Sequence, residues 1–187
     1  MVARPSPRDR LIDTAANLFY DRGLPNVGIN EVTERAGVAR MTLYNNFDSK
    51  EDLALAAFER EAEARQALFA KRLARARTAS AAVKAMFDVS EKIASKPGFR
   101  GCAFTNVAVQ DPHPDSRMHA LVCAHKAWIR ARFRDIAAGA GHSKPDMAAQ
   151  QLLALLDGAS VEAFIQGSVA PIRACRKAAE VLLSARR

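Results

Sequence analysis

The sequence GVARMTLYNNFDSKEDL, residues 37–53, joins a glycine, a short polar segment and the start of another helix. Gly37 can adopt the left-handed backbone conformation that a sharp reversal between two helices requires. The segment after it predicts a short helix over 40–46 that buries Leu43 and, at its exit, Phe47. Its other side carries Arg40, Thr42, Tyr44, Asn45 and Asn46. A short helix with so polar a side usually contacts something other than water.

The residues on either side of this segment predict more helices. Ser6 is expected to cap a first helix that ends at Gly23, and a second helix is expected over about 29–36. Ser49 caps a fourth helix. Two short helices joined through Gly37 have the spacing of a helix-turn-helix, in which the second helix enters the major groove of DNA and the first braces it.

The outward side chains of the short third helix have chemistry suited to DNA. Arginine pairs with guanine, asparagine with adenine, and the threonine methyl packs on the thymine methyl, so Arg40, Asn45 and Thr42 are expected at base edges. Tyr44 and Lys50 suit phosphates, and Lys50 is helped by the exposed amides at the start of its helix. Further DNA contacts are expected from Asn46, Arg4, Arg8 and Arg10.

Composition favours an all-helical protein. The 187 residues are 49% hydrophobic and 26% charged, with only 9 Gly and 8 Pro, most of them between periodic segments. The net charge of +8 suits a nucleic-acid partner. However, residues 1–53 hold seven basic against eight acidic residues, so bulk charge does not locate the DNA-facing surface.

Glycine and proline separate the later helices. They are expected from 50 into the seventies and over about 79–95, 102–110, 115–138, 145–166 and 171–185. With the first three helices this gives about nine and no strand, so the predicted fold class is all-α. The domain boundary is placed between 1–53 and 54–187. Neither a signal core nor a membrane-length apolar run is present, so a soluble cytoplasmic protein is expected.

Residues 8–58 resemble the N-terminal domain of the tetracycline-repressor (TetR) family. The matching positions are Ala16, Leu18, Phe19, Gly23, Val32, Ala36-Gly37-Val38, Thr42-Leu43-Tyr44, Phe47, Ser49-Lys50 and Leu53. The resemblance implies a DNA-binding domain over 1–53 and an effector-binding, dimerising domain over 54–187. The implied function is a repressor that binds a palindromic operator in double-stranded DNA as a homodimer and is released by a small molecule. No enzyme activity and no cofactor are expected.

The sequence departs from the family pattern at several positions that bear on DNA contacts. Val27 and Gly28 stand where Thr or Ser is usual, so one hydroxyl contact to phosphate is missing. Thr33 replaces a small alanine, and Ala39 replaces the common Ser or Thr cap of the third helix, which costs about 1 kcal/mol. Met41 and Asn46 replace a frequent Gly and a frequent His or Tyr. These changes leave the scaffold intact and alter the base preference.

The family's dimer interface is formed by the last two long helices of each subunit, here about 145–166 and 171–185. The residues expected there are Leu152, Leu155, Leu156, Ala159, Ala163, Phe164, Cys175, Ala179 and Leu182. The alternative for each of them is a place in the core of the single chain.

Residues 98–114, GFRGCAFTNVAVQDPHP, resemble a sub-branch of the family. Cys102, Asn106 and Gln110 recur every four residues and form a polar stripe on an apolar helix. An effector cavity is expected there, lined by Phe87, Cys102, Phe104, Asn106, Val107, Gln110 and Trp128. The alternative is that the stripe faces solvent or bonds neighbouring backbone.

Other residues of the chain allow other interpretations. Asp115, His119 and Cys123 share a helical spacing, but no metal-binding motif accompanies them, and no metal site is predicted. A redox role for Cys102 requires an exposed, activated thiol, which sequence alone does not reveal. The alternative function is a helical small-molecule-binding or redox-sensing protein without sequence-specific DNA binding. A third, nonspecific DNA packaging, predicts equal affinity for all sequences.

Overall fold

The computed structural model describes residues 5–111 and 113–184, and these residues form helices and no strand. The α-helices are α1 (Pro7–Arg22), α2 (Ile29–Ala36), α3 (Arg40–Tyr44), α4 (Lys50–Leu73), α5 (Ala79–Ala94), α6 (Ala103–Gln110), α7 (Arg117–Gly139), α8 (Pro145–Gln166) and α9 (Ala170–Ser184). A 3₁₀ turn, Leu24–Asn26, lies between α1 and α2. The predicted all-α class is confirmed. No helix in the described ranges is both long and apolar enough to cross a bilayer.

The chain divides into two compact units. The first contains the residues up to Glu63 together with Asn106–Val122, and the second contains Ala64–Thr105 with Cys123 and the residues after it. Helices α4, α6 and α7 therefore each contribute residues to both units. These units describe packing, and the functional boundary after residue 53 stays a prediction.

Short-range signals set the ends of the helices in the first unit. Ser6 accepts a hydrogen bond from the backbone N–H of Asp9 at 3.1 Å, and the same cap recurs in Ser49 and Asp52 at 3.0 Å. Gly23 ends α1 at a φ of 84°, a conformation that strains other residues. These caps confirm the predicted starts of α1 and α4.

Helix α1 supplies the core of the first unit. Its residues Leu11 and Ala15 are fully buried, and α1 packs against both α2 and α3. Val32 from α2 and Leu43 from α3 are also fully buried. Because each short helix contributes a buried aliphatic anchor, the two are held in a fixed geometry despite their length.

Helices α5, α8 and α9 pack around the core of the second unit. Phe87 lies at 6.4 Å from Phe133, centroid to centroid, in a tilted arrangement. At the edge of this core, Arg176 of α9 pairs with Asp88 of α5 at 2.8 Å. Hydrogen bonds from Lys84 and Arg176 outweigh partial burial and lower the pKa of the Asp88 carboxyl.

Five of the residues expected at a dimer interface lie instead in the core of the single chain. They are Leu152, Leu156, Ala159, Ala163 and Ala179, each at most 3% exposed. The inner face of α8 and the contact between α8 and α9 take up these side chains, so they present no surface to a second subunit. Leu155, Cys175 and Leu182 are half-buried against the same core, and Phe164 is exposed.

Candidate nucleic-acid interface and ligand cavity

The turn between α2 and α3 depends on Gly37. Its φ of 63° and ψ of 42° place it in the left-handed region, and the N–H of Val38 donates to the carbonyl of Thr33 at 3.0 Å. This is the predicted reversal, and a side chain at position 37 would strain it. Thr33, buried where the family usually has alanine, donates its hydroxyl to the carbonyl of Asn30 at 2.9 Å.

Helix α3 has one buried side and one exposed side. Leu43 is buried beneath it, and Phe47 is buried just after it. Arg40, Tyr44 and Asn45 are exposed. The helix ends at Tyr44, two residues earlier than predicted, because Asn45 caps it while keeping a helical backbone.

Two of the exposed side chains are held by other groups of α3. The Arg40 guanidinium lies 5.6 Å from the centroid of the Tyr44 ring and is 3.4 Å from its hydroxyl. Asn46 donates one side-chain N–H to the carbonyl of Thr42 at 2.7 Å, so its second N–H and its side-chain oxygen are left for a partner. The half-buried Thr42 and the exposed Asn45 remain as short polar groups beside them.

The arginines before this motif have different roles. Arg10 donates to the carbonyls of Ala36 and Gly37 at 3.1 and 3.3 Å. It thereby supplies a hydrogen-bond donor to carbonyl groups that the end of α2 leaves without a helical partner. The expected contact of Arg10 with DNA is therefore replaced by a role in holding the turn. Arg8 is exposed, with its guanidinium 5.3 Å from the centroid of the Phe47 ring. Arg4 lies outside the described residues.

Lys50 is the first residue of α4 and is half-buried. Burial lowers the pKa of its ammonium group, since the charged form loses part of its hydration. A phosphate oxygen at this helix start would restore that lost interaction and would also meet the unsatisfied amides of the first turn.

Arginines from outside residues 1–53 pair with three of the eight acidic groups of that segment. Arg60 pairs with Asp9 at 2.5 Å and with Asp13 at 2.9 Å, and Arg117 pairs with Asp52 at 2.7 Å. Hydrogen bonds from Ser6 and Arg60 lower the pKa of the Asp9 carboxyl. The local count of seven basic against eight acidic residues therefore overstates the negative charge that a DNA backbone would meet.

A cavity lies within the second unit. The volume that the centre of a water-sized sphere can reach in it is about 30 Å³, while all the space between its lining residues, open solvent included, amounts to about 410 Å³. Its lining residues are Arg65, Phe69, Ser90, Ile93, Phe99, Cys102, His125, Lys126, Ile129, Leu156, Asp157 and Ser160. It therefore combines apolar walls with charged and titratable groups, as ligand-binding sites commonly do.

Lys126 forms the polar centre of this cavity. Its ammonium nitrogen lies 2.5 Å from Asp157 Oδ1, 3.2 Å from Thr105 Oγ1 and 3.8 Å from Cys102 Sγ. Beside it, the His125 ring stacks on Phe104 at a centroid distance of 3.8 Å. His125 is 3% exposed, and burial, followed by the charges of Lys126 and Arg65, lowers its pKa from 6.5 to about 4.

Of the seven residues expected to line an effector cavity, Cys102 lies in the lining of this one. Phe87, Phe104 and Val107 are buried, Trp128 is half-buried against the core, and Asn106 is half-buried on α6. The side-chain oxygen of Gln110, Oε1, accepts a hydrogen bond from the Leu24 N–H at 3.1 Å, within the first unit. The polar stripe is therefore divided among different environments.

Sequence reasoning missed the charged groups of the cavity and one exposed side chain of α3. Lys126 and Asp157 are 31 residues apart, and the local sequence around either residue does not predict that they pair. Met41 is 69% exposed on α3 and is available to pack on a thymine methyl. Its helical position relative to Tyr44 is the signal that would have identified it.

Among the described residues, no three His, Cys, Asp or Glu side chains cluster as metal ligands, and this includes Asp115, His119 and Cys123.

The outer faces of α8 and α9 each carry exposed apolar residues at helical spacing in the described part of the chain. On α8 this outer apolar stripe consists of Met147, Ala154, Gly158, Val161 and Ile165, and on α9 of Ala174, Ala178 and Val181. All eight residues are exposed. Along α8 they are seven, four, three and four residues apart, and along α9 four and three, which is the spacing of helix-packing seams. A Cβ added at Gly158 would meet nothing within 4 Å in the same chain.

Comparison with known proteins places this geometry in a family. Residues 11–57 match the family model described as "Bacterial regulatory proteins, tetR family". SCO4454, a TetR-family transcriptional regulator from Streptomyces coelicolor, has a solved structure with a TM-score of 0.92 and 30% identity, covering 96% of this chain and 95% of that chain.

Two curated relatives match shorter stretches. The HTH-type transcriptional activator FasR of Mycolicibacterium smegmatis is 37% identical over 114 residues, 58% of this chain and 50% of FasR. The HTH-type transcriptional repressor KstR2 of Rhodococcus jostii is 41% identical over 46 residues, 25% of this chain and 22% of KstR2. The chain spans half or less of the length of these curated relatives.

The fold and the interface define a helix-turn-helix protein of the DNA-binding type. The match to SCO4454 over 96% of this chain, together with the family model that matches residues 11–57, identifies the family within that class. The chain belongs to the TetR family of transcriptional regulators.

Proposed function

We propose that this protein is a ligand-responsive transcriptional regulator that binds a palindromic operator as a homodimer and acts as a repressor. The observation that carries the proposal is the exposed edge of α3, where Arg40, Tyr44 and Asn45 are open to solvent while Leu43 is buried. Among the described residues, the side-chain contact found for Arg40 and Tyr44 is with each other, and the edge has the hydrogen-bonding groups that read bases. The protein acts in the cytoplasm on chromosomal DNA and has no catalytic role.

The roles within the edge follow from what holds each side chain. Arg40 and Asn45 read bases in the major groove, and Tyr44 supports Arg40 through the contact between guanidinium and ring. Thr42 and Met41 pack on thymine methyl groups. Asn46 offers its carbonyl oxygen, while Lys50, Arg8 and Arg4 bind phosphates, the last from outside the described residues.

Dimerisation is proposed through the outer apolar stripe of α8 and α9. Glycine in the middle of a helix costs about 1 kcal/mol relative to alanine, and no contact within the chain calls for it at Gly158. Close approach of a second subunit's backbone explains it. Val161 and Ile165 then bury their exposed surface against the second copy, with Phe164, Leu155, Cys175 and Leu182 at the margin.

Two reading helices are needed for specificity. One α3 contacts only a few base pairs, whereas two copies spaced one helical turn apart, about 34–36 Å, recognise both halves of a palindrome. The dimer supplies that spacing, and a change in the spacing releases the operator.

Helix α6 is proposed to carry the effector signal. Its Thr105 contacts Lys126 within the second unit, and its Gln110 contacts Leu24 within the first. Because both ends belong to one eight-residue helix, a ligand that alters the Lys126 contacts shifts the equilibrium of the other end. Repression with release by the effector is proposed over activation on the match to the TetR family model and on the likeness of a 46-residue stretch to the repressor KstR2.

Selection of bound duplexes from a randomised DNA pool tests this function. The wild-type chain is expected to enrich one palindromic sequence, and sedimentation of the complex is expected to show two chains per duplex. A gel-shift on the DNA upstream of the gene should then show the same site. Enrichment of no sequence at low salt would instead support the alternative, a helical ligand-binding or redox-sensing protein without sequence-specific DNA binding. Equal retention of all sequences would indicate nonspecific packaging.

A further inference from the structure

We propose that the second unit has a DNA-binding surface of its own, which binds the phosphate backbone of duplex DNA whatever the base sequence. The surface is formed by four residues, here called the basic cluster: Lys71, Arg72, Arg75 and Arg77. It belongs to the unit that does not contain α3. The inference therefore goes beyond the proposed recognition of an operator and is tested with DNA of arbitrary sequence.

The positive charge of the chain is carried by the second unit. This unit contains 19 basic against 7 acidic residues, whereas the first unit, which contains α3, has 9 against 13. Base recognition by α3 does not require such an excess in the other unit. A large excess of one charge attracts a partner of the opposite charge and raises the rate of their encounter.

The charge is densest at the end of α4. Lys71 and Arg72 lie in the last turn of this helix, and Arg75 and Arg77 follow it. All four side chains are exposed, and no Asp or Glu occurs between residues 64 and 87. The helix dipole favours cations in the last turn, but its effect ends there and does not account for Arg77, four residues beyond the helix.

The local backbone fixes the spacing of the cluster. Leu73 packs against the core of the second unit, and the N–H of Arg75 donates to the carbonyl of Arg72 at 3.2 Å, so the turn continues past the end of α4. The helical rise places Lys71 and Arg75 about 6 Å apart along the axis. Duplex DNA has one negative charge for about every 1.7 Å of its axis, so each member of the cluster can meet a phosphate.

Ion pairs within the second unit engage other basic residues. These residues are Lys84, Lys126, Arg132, Arg134, Arg173 and Arg176. In the described part of the chain, none of these pairs includes a residue of the basic cluster. The cluster therefore keeps its charge for a partner outside the chain.

The surroundings of the basic cluster favour duplex DNA over other polyanions. The large exposed hydrophobic residues of the described chain all lie outside residues 64–105. A membrane-bound helix inserts apolar side chains, single-stranded nucleic acid stacks on aromatic rings, and protein interfaces are anchored by buried aromatic residues. Duplex DNA is bound through its phosphates alone. Such binding holds the protein on chromosomal DNA and lets it slide toward an operator.

The salt dependence of DNA binding by the full-length protein tests this surface. Anisotropy of a labelled random-sequence duplex of about 30 base pairs is measured between about 50 and 200 mM salt. The cluster variant combines Lys71→Gln, Arg72→Gln, Arg75→Gln and Arg77→Gln. Each phosphate contact adds about 0.9 to the slope of log affinity against log salt, so the slope should fall by about 2 to 4 and the affinity at low salt by about tenfold or more.

A matched control removes the same charge from the same unit. It replaces four exposed lysines that are scattered along the chain: Lys92→Gln, Lys96→Gln, Lys144→Gln and Lys177→Gln. Its slope should change by less than about 1. The double variant Arg75→Gln, Arg77→Gln lies beyond the last residue of α4 and should give about half of the change. It keeps the test decisive if circular dichroism shows that the cluster variant does not fold.

Three results overturn the inference. The cluster variant keeps the wild-type slope, the control lowers the slope as much as the cluster variant does, or the cluster is needed for binding to phosphatidylglycerol vesicles and not for binding to the duplex.

The selected palindrome separates this inference from the proposed function. The cluster variant should weaken the palindrome and the random duplex by the same factor, and a lower ratio would overturn the inference by placing the cluster in base recognition. A protein that selects no palindrome but loses its salt slope with the cluster upholds the inference and rejects operator recognition. A selective protein whose slope does not depend on the cluster does the reverse.

Discussion

Replacement of His125 by phenylalanine is expected to remove a pH-dependent loss of stability. The imidazole is 3% exposed, and burial together with the nearby charges of Lys126 and Arg65 lowers its pKa from 6.5 to about 4. Because the pKa is lower in the folded chain, the unfolded chain binds the proton more readily. The stability from neutral His125 is complete above pH 6.5 and is lost as the pH falls toward 4. Between pH 7.5 and pH 5 the two pKa values give a loss of about 2 kcal/mol.

Urea denaturation followed by circular dichroism at several pH values between 7.5 and 5 measures this loss. Phenylalanine keeps the stack on Phe104 and cannot titrate, so the His125→Phe curve should be flatter than wild type by about 2 kcal/mol over the interval. The control His113→Phe removes an exposed histidine and should keep the wild-type slope. Hydrogen bonds from Ser6 and Arg60 lower the pKa of the Asp9 carboxyl, and those from Ser49 and Arg117 lower the pKa of the Asp52 carboxyl, which moves both away from this interval. Equal slopes for wild type and His125→Phe would refute the assignment of a buried neutral imidazole.

Three further substitutions have defined outcomes. Ala39→Ser restores a hydroxyl cap to α3 and should raise the free energy of unfolding by up to about 1 kcal/mol, seen as a higher urea midpoint; a lower midpoint would exclude the cap. Arg10→Met leaves the carbonyls that end α2 unsatisfied and should cost about 1–3 kcal/mol, with weaker binding to every DNA sequence by gel-shift; unchanged stability would argue against the clamp. Ile165→Asp places a charge in the proposed seam and should yield monomers by sedimentation, while Val109→Asp, at an 81% exposed site outside α8 and α9, should not.

Local signals made the first four helices predictable. The Ser6 and Ser49 caps, the Gly23 stop and the left-handed Gly37 each act within a few residues, so sequence alone sets those boundaries. Helix α3 ends at Tyr44, earlier than expected. Asn45 is its C-cap, and the helical backbone conformation of Asn45 makes this end hard to recognise from sequence.

The two faces of α8 could not be told apart from sequence. Apolar residues surround most of this helix, so periodicity does not reveal which side packs inside the chain. The structure buries Leu152 and Leu156 in the core and exposes Val161 and Ile165. The predicted interface helix therefore stands as a proposal with a different set of contact residues.

Contacts between distant segments were likewise beyond reach. The pair of Lys126 and Asp157 joins α7 to α8, and Arg60 and Arg117 reach back to acidic groups of the N-terminal segment. Charge counted along the chain therefore misjudges the charge present at a surface, and cavity residues emerge only when helices are placed together.

The affinity ratio between the selected palindrome and a scrambled duplex tests the central claim, that the exposed edge of α3 reads bases. Anisotropy of labelled duplexes, at one fixed salt concentration, gives this ratio for wild type, Asn45→Ala, Arg40→Ala and a control, Lys177→Ala, on an exposed part of α9. Each reading variant should lose about 1–3 kcal/mol of discrimination, while affinity for the scrambled duplex falls little for Asn45→Ala and the control retains the wild-type ratio. A ratio that stays at the wild-type value in both reading variants would contradict the account.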